Sequence, residues 1–199
     1  MSNATYLFEK PSRLMKNSES RWTAVAQMSL IYISANMPGI RLPVYESDDD
    51  GYLTAKGEFL VSGFTYLNTV CENGLTGENF GIQDFDKRFA YIKPDILHID
   101  KKNKKVVLIE VKTLSESVVR NISLYHHLYQ YLHSSSWDCN LYYLLSHGHE
   151  KKKDWPVLAK QGSSIITWED LFGVMAQTPL ADLIGDCLSE YCDPPAERG

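Results

Sequence analysis

Residues 92–113 read IKPDILHIDKKNKKVVLIEVKT and give the clearest indication of the fold. Four apolar residues follow one another at 106–109, which predicts a strand buried on both faces at the centre of a covered sheet. The polar residues 101–105 predict a turn. We therefore expect the strand that ends at Asp100 to pair antiparallel with the strand that begins at Val106.

This pairing brings charged side chains together at one end of the hairpin. It places Asp95 opposite or diagonal to Glu110, with side chains ~4.5–8 Å apart. Glu110 and Lys112 are two residues apart on one strand and share a face. Two such carboxylates repel, and a hard divalent cation with oxygen ligands relieves that repulsion. The pattern predicts a metal site; the alternative is that Asp95 closes a turn after Pro94 while Glu110 and Lys112 form a surface pair.

The rest of the chain supplies further helices and strands around this hairpin. Apolar residues at helical spacing predict a helix over 18–36, and steps of four, three and four favour a second over 54–71, whose composition also suits strands. The remaining predicted elements are an extended segment at 40–45, strands at 80–85, 89–99, 106–112 and 141–145, an edge strand at 165–168, and helices at 115–133 and from 169. This order predicts an α/β fold with a central mixed β-sheet flanked by helices.

Composition limits the class of protein. With 199 residues, 44% hydrophobic and 23% charged, the chain is expected to form one domain, residues 1–199, rather than a disordered segment. Its net charge of −5 means that nucleic acid could be bound only through a local basic patch or through metal ions. Candidate patches are the lysines within 101–105 and 151–153, which in the alternative are only solvated. No apolar run approaches the ~20 residues of a membrane span, and there is no signal segment, so we expect a cytoplasmic protein without a membrane partner.

The residues quoted above resemble a known family. Pro94-Asp95 followed by Glu110-Val111-Lys112 looks like the motif of the PD-(D/E)XK nuclease superfamily, which has the restriction-endonuclease-like fold. The core order of that family (helix, three strands, helix, strand) is similar to residues 54–146. The resemblance divides the chain into an N-terminal extension over 1–53 with an extra helix, the core over 54–146, and a C-terminal extension over 147–199.

The resemblance implies an activity and its cofactor. It implies Mg²⁺-dependent hydrolysis of phosphodiester bonds, with DNA preferred over RNA as the nucleic-acid partner and Mn²⁺ able to substitute. It also allows a homodimer, because many members cut two strands as dimers. Asp95 and Glu110 would ligate the metal with the carbonyl oxygen of Val111, and Lys112 would lie beside the attacking water. Many members add a Glu from the first core helix, for which Glu58 is preferred here over Glu19.

A second element resembles the RecB-like branch of this superfamily. Asn121 and Tyr125 are spaced like its Gln-x-x-x-Tyr element, with Asn in place of Gln, and would contact substrate from one helix face. In the alternative, Tyr125 belongs to an ordinary core stripe. Two competing functions stay open. One is a catalytically inactive nuclease-like module that binds nucleic acid or a partner protein, as a phage or defence component, and the other is an RNA endonuclease.

Overall fold

The computed structural model describes residues 19–71, 74–112, 117–118, 122–147, 152–176 and 178–179. Within these residues the fold is α/β, with a seven-stranded mixed sheet flanked by helices, which confirms the predicted class at this level. The strands are β1 (Arg41–Ser47), β2 (Leu53–Leu60), β3 (Thr69–Cys71), β4 (Ile96–Asp100), β5 (Lys105–Val111), β6 (Asp138–Leu145) and β7 (Ser164–Thr167). The helices are α1 (Glu19–Asn36), α2 (Gly77–Phe80), α3 (Ile122–Ser134), α4 (Pro156–Lys160) and α5 (Trp168–Met175), with 3-10 helices at Lys87–Tyr91 and Lys152–Asp154.

The strands follow one another across the sheet in the order β2-β1-β7-β6-β5-β4-β3. β6 is parallel to both β5 and β7, and the other pairs are antiparallel. The prediction of an edge strand at 165–168 is wrong in its position, because β7 lies between β6 and β1. Tyr45 of β1 pairs with Ile165 of β7 and so extends the sheet beyond it.

β5 is the buried central strand that its sequence predicts. Val106 and Leu108 lie in the hydrophobic cluster that contains the buried face of α3. Ile109 and Val111 lie in the second cluster, which contains the apolar stripe of α1. Because successive side chains point to opposite faces of the sheet, the continuous apolar run packs against the helices on both faces. α1 is also the helix that was predicted over 18–36.

The predicted helix over 54–71 is wrong. These residues form most of β2, a loop and β3, and β2 pairs with β1 from Arg41↔Leu60 to Ser47↔Leu53. The intervening turn is stabilised by the Asp48 carboxylate, which accepts hydrogen bonds from the main-chain N–H groups of Asp50 and Tyr52. The apparent helical stripe is not a buried face, since Leu67 is 96% exposed.

The two strands predicted between β3 and β4 also differ from the observed structure. The predicted strand over 80–85 is wrong, because the chain forms α2 and then a loop. The strand predicted over 89–99 begins only at Ile96, since Asp86 caps the preceding 3-10 helix by accepting the N–H of Arg88. The helix predicted over 115–133 corresponds to α3, which begins at Ile122, and residues 113–116 and 119–121 lie outside the described part. None of the helices in the described ranges has the length and apolar content to cross a membrane.

Candidate active site

The β4–β5 hairpin has the antiparallel pairing that the turn predicts. Its register runs from Asp100↔Lys105 to Ile96↔Ile109. One step further, the same register places Asp95 opposite Glu110, as expected. Both side chains therefore lie on the sheet face that α3 covers, because Leu97 and Leu108 belong to that face.

Asp95, Glu110 and Lys112 form a buried charge cluster, each with 8% of its surface exposed. The Lys112 ammonium nitrogen lies 3.1 Å from Oε2 of Glu110 and 3.6 Å from Oδ2 of Asp95. The same Asp95 oxygen accepts the main-chain N–H of Val111 at 2.7 Å. The surface pair considered as the alternative is wrong, because these groups are buried together. Buried charges need such partners, since an isolated one would be strongly disfavoured.

Tyr125 holds the second carboxylate in place. Its side chain is only 3% exposed, and its hydroxyl donates a hydrogen bond to Oε1 of Glu110. Burial raises the pKa of Tyr125, and the adjacent negative charge of Glu110 raises it further, so the hydroxyl stays protonated as a donor. Tyr125 thus lies at the predicted site and also in the core, in contact with the carboxylate.

Tyr143 is a site residue that the sequence reasoning missed. It lies on β6 directly beside Glu110 in the parallel register and is 1% exposed. Burial raises its pKa, the negative charges of Glu110 and Asp95 raise it further, and the charge of Lys112 lowers it. The available signal was the pair of tyrosines at 142 and 143 within the otherwise apolar run 141–145, and only the pairing of β6 with β5 shows that Tyr143 is the one beside Glu110.

The main chain at Lys112 is held on both sides. Its N–H donates to the carbonyl of Leu144 at 3.1 Å, and its carbonyl accepts from the indole N–H of Trp168 at 3.4 Å. Trp168 in turn packs edge-on against Trp22 of α1, with ring centroids 5.3 Å apart. Trp168 is therefore a core residue that fixes the end of β5.

Glu58 does not join the cluster. It lies on the edge strand β2, where its carboxylate pairs with Arg41 at 3.4 Å and the side chain is 61% exposed. It lines a groove of about 700 Å³ together with Asp100 and Lys105. That end of β4 and β5 is about 16 Å from the carboxylates, at about 3.3 Å per residue over five residues.

The other predicted participants fall wholly or partly outside the described side chains. Glu19 is the first residue of α1, and its side chain is not among those described. Asn121 lies outside the described residues. Val111 is in place at the end of β5, and its carbonyl oxygen stays a predicted ligand.

Exposed basic and aromatic side chains precede and follow Asp95 in the chain. The lysines of 101–105 are exposed at the hairpin tip, at the far end of the strands from Asp95. Nearer in sequence, Lys87 and Lys93 are exposed, and Tyr91 is 86% exposed. This second set precedes Asp95 in the chain by two to eight residues.

The donors available for a metal ion are few. Across the described ranges, no group of three or more His, Cys, Asp and Glu side chains is arranged to hold a metal. The cluster itself offers two carboxylates and one ammonium, which sum to a charge of −1. Carboxylate oxygens are the ligands that Mg²⁺ and Mn²⁺ prefer, and Mg²⁺ is commonly held by one or two of them with water and phosphate completing the shell. The donor set therefore fits such a cation when a substrate or water supplies the remaining oxygens.

Comparisons of the chain with protein families, with curated proteins and with solved structures found no match.

Proposed function

We propose that this protein is a Mg²⁺-dependent nuclease with a restriction-endonuclease-like core, hydrolysing phosphodiester bonds in DNA. The observation that carries the proposal is the buried cluster of Asp95, Glu110 and Lys112 at the end of the β4–β5 hairpin. A fold gains little from burying two facing carboxylates for structure alone, since well-packed apolar residues are often as stable. Buried clusters of interacting ionisable groups occur more often at functional sites than elsewhere in proteins.

The order of elements supports the proposed core in a revised form. In chain order, α1 is followed by the β1–β2 hairpin, β3, the short helix α2 and a 3-10 helix, and then by β4, β5, α3 and β6. If the β1–β2 hairpin and the two short helices between β3 and β4 are insertions, this is a helix, three strands, a helix and a strand. The first helix of the proposed core is then α1, and the helix-borne acid to consider is Glu19 instead of Glu58.

The residues of the cluster have separate roles in the proposed reaction. Asp95 and Glu110 would hold the cation with the carbonyl of Val111, while the N–H of Val111 and the hydroxyl of Tyr125 orient the two carboxylates. When bound, the cation supplies Lewis-acid activation of water and of the phosphoryl group. Lys112 offers its ammonium donors to the attacking water and to the negative charge that develops on the phosphate.

The surface before Asp95 supports a polyanionic substrate. Lys87 and Lys93 are exposed there, and positive side chains beside a nuclease site position a strand through its phosphates. The overall charge of −5 opposes general binding of nucleic acid, so contacts are expected to be local. A homodimer stays a prediction, which light scattering of the purified protein tests.

One observation favours a second function, that of an inactive nuclease-like module. The Lys112 ammonium already lies 3.1 and 3.6 Å from the two carboxylates, so one of their two negative charges is compensated without a metal ion. In that case the cluster would serve stability, and the basic surface would bind nucleic acid or a partner protein without cleavage. RNA cleavage is the remaining alternative and needs only a different substrate.

Calorimetric titration of Mn²⁺ and a cleavage assay together test the proposal. Asp95→Asn and Glu110→Gln should each abolish Mn²⁺ binding and lower cleavage of plasmid, linear or single-stranded DNA by at least 100-fold. Lys112→Met should keep Mn²⁺ binding and lose cleavage, because it removes the ammonium group and leaves both metal-binding carboxylates. An RNA substrate is run beside the DNA substrates to determine which polymer is cut.

Matched variants complete the design. Asp100→Asn removes a carboxylate from the other end of β4, and Glu58→Gln removes one from β2, and both should behave as wild type. Glu19→Gln tests the helix-borne position in the same titration. Wild-type protein that binds no Mn²⁺ and cleaves none of the substrates would refute the nuclease proposal and favour the inactive module.

A further inference from the structure

The Tyr143 hydroxyl is a buried polar group for which the described residues provide no hydrogen bond. The hydroxyl oxygen is buried, and it has no hydrogen-bond partner among the residues that the structure describes. Most buried polar atoms in proteins are hydrogen-bonded, and one that is not calls for an explanation. Here the hydroxyl belongs to the residue paired with Glu110, in the electrostatic field of all three charged residues of the cluster.

Packing alone does not account for this hydroxyl. Phenylalanine would fill the same space, and the neighbouring residues Leu141, Leu144 and Leu145 on β6 are apolar and buried. The hydroxyl is also held in its protonated form, because burial and the adjacent carboxylates disfavour the phenolate. Tyr125 differs from Tyr143 in this respect, since its hydroxyl already donates to Glu110.

We propose that Tyr143 is a positioning residue whose O–H donates to an oxygen atom that enters with the occupant of the carboxylate site. This inference rests on the proposed function. The oxygen is either the hydration water that accompanies a divalent cation or a phosphate oxygen of the nucleic acid. In both cases the Tyr143 hydroxyl has no acceptor among the described residues of the unliganded protein, and binding supplies one.

The proposal predicts opposite effects on stability and binding in the variant Tyr143→Phe, which retains the ring. The melting temperature of the unliganded protein should be unchanged or higher, because the variant removes a buried hydroxyl that has no hydrogen-bond partner in the described part of the chain. Affinity for the occupant should fall about tenfold, because the donor is lost. A role in the packing of the unliganded fold would instead lower the melting temperature.

Two binding measurements distinguish the sources of the oxygen. The first titrates Mn²⁺ alone, and the second titrates an uncleavable phosphorothioate oligonucleotide at saturating Mn²⁺. A tenfold loss already with Mn²⁺ alone assigns the hydroxyl to the hydration water, whereas a loss confined to the oligonucleotide assigns it to the phosphate.

Tyr142→Phe is the matched control, since it removes a hydroxyl from the next residue of β6, on the other face of the sheet. It should bind both probes as wild type does. The inference about Tyr143 is overturned if Tyr143→Phe binds both probes with wild-type affinity or melts at a lower temperature, and the nuclease proposal then still stands. Wild-type protein that binds neither probe overturns both.

Discussion

The replacement Lys112→Met should destabilise the protein strongly, although it keeps the length and apolar stem of the side chain. Lys112 is the cation that lies between Asp95 and Glu110. Without it, the two carboxylates face each other at the same buried position. The expected loss therefore comes from charge and not from a cavity.

The distances set the size of this loss. At 3.1 and 3.6 Å, and with an effective dielectric constant of about 20, each attraction amounts to about 5 kcal/mol before desolvation is counted. Desolvation of the ammonium offsets much of this energy in the native protein. Removal of one partner from a buried ion pair typically costs about 3–5 kcal/mol, and we expect the free energy of unfolding to fall by that amount.

Urea denaturation followed by the fluorescence of the four tryptophans measures the change. Lys105→Met is the matched control, because Lys105 begins β5 and its ion pair with Asp138 spans 3.8 Å with both side chains more than half exposed. An exposed pair of this kind contributes less than about 1 kcal/mol. Excess Mn²⁺ should recover part of the deficit in Lys112→Met, since a cation between the carboxylates replaces the lost charge, and should leave Lys105→Met unchanged.

Equal losses in the two variants would show that the buried cluster contributes no more than a surface ion pair. The electrostatic reasoning for this site would then be wrong. A large loss in Lys112→Met that Mn²⁺ leaves untouched would keep the stability argument and contradict the metal-binding part.

Three further predictions concern other parts of the molecule. Burial lowers the pKa of His98 below its usual 6.5. The neutral imidazole therefore contributes fully to stability above pH 6.5, and this contribution is lost as the pH falls through the folded-state pKa. Thermal unfolding measured between pH 7 and 5 should show a smaller fall in melting temperature for His98→Gln than for wild type. Tyr91→Ala should weaken binding of single-stranded DNA by about 5- to 100-fold, as expected for loss of one stacked base. Tyr52→Ala, which removes another exposed tyrosine, should bind as wild type does. If fluorescence anisotropy gives Tyr91→Ala the affinity of wild type, stacking of a base on Tyr91 is excluded. Thr167→Ala should lower the free energy of unfolding in urea by about 1 kcal/mol, because the Thr167 hydroxyl caps α5 by accepting the N–H of Asp170. An unchanged free energy of unfolding would mean that this N-cap hydrogen bond does not stabilise the protein.

The charge cluster could be predicted from the sequence because its geometry is local. A four-residue polar turn, residues 101–104, joins the two strands, so the register near the turn determines which residues face each other five steps away. The alternation of side chains along a strand then places Glu110 and Lys112 on one face. None of these steps depends on distant parts of the chain.

The strands at the other side of the sheet could not be predicted in this way. Apolar residues spaced by three and four within 54–71 favoured a helix, yet β2 forms because it pairs with β1 along its length. That pairing contributes hydrogen bonds which local propensity does not register. The placement of Glu58, far from the cluster and paired with Arg41, follows from the same pairing.

The hairpin, the central buried strand and the three charged residues at its end could thus be derived from local spacing, since each follows from one short segment. The groups that contact these charged residues depend on how distant strands and helices pack together. β6 lies beside β5 through a parallel pairing across a helix, and this brings Tyr143 next to Glu110. Parallel pairing joins residues that are distant in the chain, and no local pattern records its register.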